Sequence, residues 1–125
     1  MPATHLSPEF VAQRQLEAYN ARDVEAWLST YAEDAVQYLY PGTVLARGHA
    51  EMRARIVERF AEPDLHAQLL YRSVIGEMVC DHELVTRNLS EGLRELEMQA
   101  IYQIHGGLIR SAMFYFGSPR LRVGH

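Results

Sequence analysis

The chain has 125 residues, enough for one domain that can bury a core unaided, and its 48% hydrophobic and 22% charged content is that of a globular protein. A net charge of −4 and a pI near 5.8 leave no basic footprint, which argues against nucleic acid as a partner. Every basic residue is an arginine, so Schiff-base and pyridoxal chemistry are excluded, and the single Cys80 permits neither an intrachain disulfide nor a multi-cysteine metal site.

The first ten residues, MPATHLSPEF, lack the charged and apolar regions of a signal peptide. No apolar run approaches the roughly 20 residues that span a bilayer. A cytoplasmic domain with no membrane partner is the expectation. It covers residues 1–125, with a core over 8–116 and a loose tail over 117–125.

Ser7-Pro8-Glu9 reads as a helix start, with Ser7 capping, Pro8 in the first turn and Glu9 at the positive end of the dipole. Leu6 and Val11 sit at staple spacing across the cap, and the helix should run to Tyr19 with Asn20 as a left-handed stop. Asp23 caps a second helix whose apolar face is Val24, Trp27, Leu28 and Tyr31. Residues 35–40 read as a strand closed by Pro41-Gly42, and a brief strand over 44–46 leads to Gly48 and a third helix. There Met52, Ile56 and Phe60 share a stripe, Glu51 and Arg55 are spaced to pair, and Pro63 follows the end. Two long strands, 66–75 and 78–88, flank Gly76-Glu77; two more, 93–104 and 108–116, flank Gly106-Gly107. Helices first and a meander of strands after gives an α+β fold.

The stretch Leu16 to Asp23, then Trp27 to Tyr31 and Ala32-Glu33-Asp34-Ala35, resembles the opening of nuclear-transport-factor-2-like domains. Pro41-Gly42, Arg47-Gly48 and the Gly106-Gly107 hairpin continue the likeness, over residues 8–116. The resemblance implies a cone-shaped, cystatin-like fold in which three N-terminal helices wrap a curved mixed or antiparallel sheet, nearest to the SnoaL-like branch. The superfamily also includes ketosteroid isomerase, whose three acid–base positions fall here on Gln15, Tyr40 and Ala100. None supplies the required tyrosine or aspartate, so that mechanism is not carried over. The helix-one Tyr-Asp pair of scytalone dehydratase becomes Tyr19-Asn20, and that activity is not carried over either.

Two-residue turns set the expected facing. Around Gly76-Glu77, Arg72 faces Asp81 as a surface ion pair, while Tyr71 faces His82 and Ser73 faces Cys80 on the other side. Around Gly106-Gly107, Tyr102 faces Ser111, Ala100 faces Met113 and Met98 faces Tyr115. The resemblance makes Ala100 inward, and with it Met98, Tyr102, Met113 and Tyr115. Ile101, Ala112, Phe114 and Phe116 then form an apolar outer face, for which a sheet-mediated homodimer is the natural cover.

His82 is the expected catalytic residue, an imidazole placed to carry a proton beside Tyr71; the plainer reading is a hydrogen-bonded core histidine. Gln15, Tyr19, Tyr38, Tyr40, Tyr102, Met98 and Met113 are the expected substrate-binding set. His5, His49, His66, His105 and His125 are scattered, and residue 86 is threonine where a His-Glu-x-x-His motif needs histidine, so no metal is expected. With neither a phosphate loop nor a Gly-x-Ser-x-Gly elbow, no cofactor is expected. The anticipated function is binding of a compact apolar or amphipathic molecule in a tyrosine-lined pocket, with cofactor-free isomerase, dehydratase or cyclase chemistry. The alternative is a non-catalytic binding or assembly module.

Overall fold

In the computed structural model, which describes residues 6–122, Ser7 caps α1 (Pro8–Ala21) by accepting the Phe10 N–H at 3.1 Å. The left-handed stop falls at Arg22 (φ 56) rather than Asn20. Asn20 is still helical, and its amide makes two 2.9 Å hydrogen bonds to the Ala67 backbone, tying the helix to the sheet. Asp23 caps a short α2 (Val24–Ser29) through the Ala26 N–H. The helix ends before Tyr31, which opens β1 (Tyr31–Leu39), a longer strand than the sequence suggests. Tyr31 is buried all the same, because Trp27 packs against its ring at 4.7 Å.

After β2 (Thr43–Arg47), Gly48 opens α3 (Gly48–Phe60) with a positive φ of 76; a Cβ there would lie 3.2 Å from the Glu33 carbonyl. The stripe Met52, Ile56 and Phe60 is buried as expected. The expected Glu51–Arg55 pair does not form. Glu51 instead accepts the Arg47 N–H at 2.7 Å, supplying a cap where Arg47 has none, and Arg55 turns inward.

The remaining strands are β3 (His66–Ile75), β4 (Met78–Leu89), β5 (Gly92–His105), β6 (Leu108–Phe116) and β7 (Arg120–Leu121). The sheet runs β2-β1-β6-β5-β4-β3, antiparallel except where β1 meets β6 in parallel. The outcome is an α+β domain whose curved, unclosed mixed sheet is covered on one face by the three helices. The short β7 pairs with Arg94 and Glu95, so part of the tail expected to be loose is tied to the sheet. His5 and His125 lie outside the described residues. No helix among those described is long and apolar enough to cross a membrane.

A one-residue insertion on β6 reverses which of its side chains face the helices, and a second insertion lies on β3. Leu108 and Ile109 pair with His105 and Ile104 as the turn predicts, but Arg110 is skipped, and Ser111 pairs with Gln103. From there Ala112, Phe114 and Phe116 stand opposite Tyr102, Ala100 and Met98. They therefore belong to the inner face, and Met113 and Tyr115 to the outer one, reversing the expected assignment. On β3 the skipped residue is Leu70. The predicted pairs Arg72–Asp81, Tyr71–His82 and Ser73–Cys80 lie between that insertion and the turn, and all form. Their faces are the reverse of those expected, because β4 joins β5 without a slip and Asp81 stands opposite the inward Ala100. Asp81, Glu83 and Val85 are buried inward alongside Val79, while His82 and Cys80 look outward.

Candidate functional site

The inner face of the sheet meets α1, α2 and α3 around a cavity of about 60 Å³, enough for a few water-sized groups or the reacting part of a compact ligand. Its apolar wall is Leu16, Trp27, Ile56, Val85, Met98, Phe114 and Phe116; its polar groups are Gln15, Tyr19, Tyr31, Gln37, Arg55, Arg59, Glu83 and Tyr102. Arg59 keeps 24% of its side chain exposed, whereas Gln15, Tyr31, Gln37, Glu83 and Tyr102 are buried.

Glu83 is the unusual member. It is 3% exposed, lies on the cavity wall, and its carboxylate makes no hydrogen bond among the described residues. Burial pushes its carboxyl up to about 7; the Asp81 charge adds to the rise and Arg72 opposes it. Asp81, two residues away on the same face, has the opposite fate. Arg72 grips it with two hydrogen bonds of 2.7 and 2.9 Å and is itself braced by Gln13 at 3.0 Å. That pair, 9% and 0% exposed, is a buried structural ion pair rather than the surface pair expected.

Two short polar chains frame the cavity. Arg55 donates to Gln37 Oε1 at 3.0 Å, which fixes the amide so that its Nε2 donates to the Tyr31 hydroxyl oxygen at 3.4 Å. The Tyr31 proton is thereby left to point elsewhere. Tyr102 donates to Gln15 Oε1 at 3.2 Å. Burial raises the phenols of Tyr31 and Tyr102 above their ordinary range, so both are neutral donors at physiological pH. Tyr19 is also raised by burial, with the Arg59 guanidinium beside it acting in the opposite sense. The Trp27 indole N–H is buried with no partner among the described residues.

Four of the nine expected site residues, Gln15, Tyr19, Met98 and Tyr102, line this cavity. The other five do not. His82 stands on the outer face, where its Nε2 meets the Glu97 carboxylate at 2.6 Å, and Tyr71 beside it is 67% exposed. Tyr38 pairs with Met113 on that same outer face, and Tyr40 packs edge-on to Tyr115. The reason in each case is strand parity: the inward residues are Gln37 on β1, Glu83 on β4 and Phe114 on β6. Sequence reasoning missed Glu83, Tyr31, Gln37, Arg55 and Arg59. Among the described residues no three His, Cys, Asp or Glu side chains gather as a metal-binding group.

A curved, unclosed mixed sheet with three helices against one face is the architecture of a nuclear-transport-factor-2-like domain. Residues 12–112 match the family model described as a SnoaL-like domain, and the chain belongs to that family. An uncharacterised cystatin-fold protein of Novosphingobium aromaticivorans is 28% identical, with a TM-score of 0.82 over 88% of this chain and 98% of that one. IdmH of Streptomyces antibioticus, a proposed polyketide cyclase, is 20% identical with a TM-score of 0.76 over 89% and 92%. The pinacolase BvnE of Penicillium brevicompactum is 18% identical with a TM-score of 0.77 over 93% and 86%. The last two likenesses show the fold alone. No curated protein matches significantly.

Proposed function

We propose that this domain binds a compact, mostly apolar molecule in the inner cavity and moves a proton on it with Glu83, as a cofactor-free isomerase, dehydratase or cyclase. The observation that carries this reading is a cavity-facing carboxyl with no hydrogen-bond partner among the described residues, pushed up to about 7 by burial. A group titrating near the working pH is both a competent base and a competent acid. As carboxylate it takes a C–H proton next to a carbonyl, and the bonding electron pair moves onto the carbonyl oxygen. Tyr31, whose proton is uncommitted, donates a hydrogen bond to that oxyanion. The protonated Glu83 then returns the proton to a different atom, completing an isomerisation without any redox partner.

The test is deuterium exchange at the α-carbons of compact ketones such as cyclopentanone in D2O, followed by NMR. The wild-type protein should accelerate exchange, and Glu83→Gln should lose about 10²- to 10⁴-fold of that acceleration. An unchanged rate in Glu83→Gln would sink the assignment. The small cavity favours a second reading, a binding or assembly module, and absence of exchange by the wild type would favour it further.

The outer face of the sheet suggests a second copy of the chain as partner. Its apolar residues are Ile101, as the sequence suggests, with Met113, Tyr115, Tyr38 and Tyr40 in place of the expected Ala112, Phe114 and Phe116. A dimer through this face, in a reducing cytoplasmic setting, is part of the proposal. Sedimentation should give a dimer at micromolar concentration and a monomer for Met113→Asp; a monomeric wild type would remove it.

A further inference from the structure

We propose that the ligand of the inner cavity is a compact monocarboxylate whose anionic end is held by Arg55 and Arg59. This rests on the cavity being the ligand site, but not on Glu83 moving a proton.

The two arginines stand four residues apart on α3, both on the cavity wall. Like charges at that spacing repel one another on a helix. Burial already lowers the affinity of Arg55 for its proton, and the Arg59 charge lowers it further. Neither guanidinium has a carboxylate of its own. The single hydrogen bond of Arg55 goes to the neutral amide of Gln37. The nearest acid to Arg59 is Glu62, at 3.8 Å, and that carboxylate already holds Arg87 by bonds of 2.8 and 2.7 Å and the Asn88 N–H at 2.9 Å.

Arg53, on the solvent side of the same helix, makes the contrast: it is paired with Glu25. So the exposed arginine of α3 has a carboxylate to itself, whereas of the two facing the cavity Arg55 has none and Arg59 shares the distant Glu62 with Arg87. Unmatched charge against an apolar wall is costly unless something arrives to neutralise it. Among the described residues Glu83 is the one acidic group lining the cavity, and it resists ionisation. The cavity therefore carries surplus positive charge, enough for one anionic group beside an ionisable Glu83. Leu16, Ile56, Met98, Phe114 and Phe116 offer no polar contact to the rest of the molecule, which suits a hydrocarbon or aromatic body. A planar carboxylate also fits the fork of a guanidinium, which offers parallel N–H donors.

The probes are butanoate, benzoate, their primary amides and inorganic phosphate, titrated at neutral pH and followed by calorimetry or protein NMR. Each acid should bind the wild type about tenfold or more tightly than its isosteric amide. In Arg59→Gln that preference should shrink severalfold with the amide affinity unchanged; Arg59→Lys should restore part of it, and Arg53→Gln should retain all of it. The proposal is overturned if acid and amide bind alike, if the preference survives in both Arg55→Gln and Arg59→Gln, if phosphate outcompetes the acids, or if no probe binds. Loss of acid preference with ketone exchange through Glu83 intact would overturn this inference and leave the proton-transfer reading standing. Acid-selective binding without exchange would do the reverse.

Discussion

Neighbouring residues of β4 live in two different solvents. Asp81 and Glu83 point to the helix side, where water is largely excluded, and each carboxyl must be matched by a cation or give up its charge. Asp81 takes the first course through Arg72, and Glu83 takes the second, its carboxyl pushed up to about 7. One residue along, His82 faces outward and meets Glu97 with both side chains substantially exposed, 34% and 49%. The His–Glu contact, at 2.6 Å, is as short as anything on the inner wall, yet it sits in water and is worth little. Chemical potential in this fold therefore follows the side of the sheet rather than the identity of the residue.

That contrast can be broken in graded steps. Asp81→Ala strands Arg72 in the interior without its counter-ion and should cost about 3–5 kcal/mol in urea denaturation. A loss below about 1 kcal/mol would mean that water reaches Arg72 freely. Glu83 should act on stability in the opposite sense. Its folded value of about 7 lies above the ordinary 4.5, so between those pH values the folded chain holds a proton that the unfolded chain has released. Stability should consequently fall as pH rises from 4.5 to 7, by about 3 kcal/mol in total. Glu83→Gln should remove that slope and be more stable than wild type above pH 7 by a similar amount. Parallel stability curves for the two proteins would contradict this. The smallest effect belongs to His82→Ala, which should change stability by less than about 1 kcal/mol and leave ketone exchange unaltered.

Much of the architecture was legible in the chain because local chemistry dictates it. Ser7 and Asp23 cap the helices they were expected to cap, and the Gly76-Glu77 and Gly106-Gly107 turns set the ends of four strands within a few residues. The site was harder, for a physical reason. Facing depends on parity, and the unmarked insertion at Arg110 reverses it on β6 without a glycine to announce it. On β3 and β4 the Gly76-Glu77 turn fixes which residues pair but not which side of the pair faces the helices. A one-residue slip carries a whole strand face from core to solvent. The sequence does carry one signal of the β4 facing. The two-residue turn Ser90-Glu91 pairs Leu89 with Gly92, which sets Val79 opposite Tyr102 and Glu83 opposite Met98. Given an inward Met98 and Tyr102, that register places Glu83 inside and His82 outside. Tyr31 was hidden differently, since it continues the apolar spacing of α2 while belonging to β1. Arg55 is spaced to pair with Glu51, and i,i+4 spacing cannot reveal that Glu51 is needed at the helix start.

The most direct test of the account is the ionisation of Glu83 itself, read as the carboxyl stretching bands lost between wild type and Glu83→Gln in infrared spectra taken from pH 4 to 9. A protonated carboxyl band that disappears with a midpoint near 7 is the result the buried, unpartnered cavity position predicts. A carboxylate already fully ionised at pH 5.5 would contradict it and remove the proton carrier from the proposed reaction.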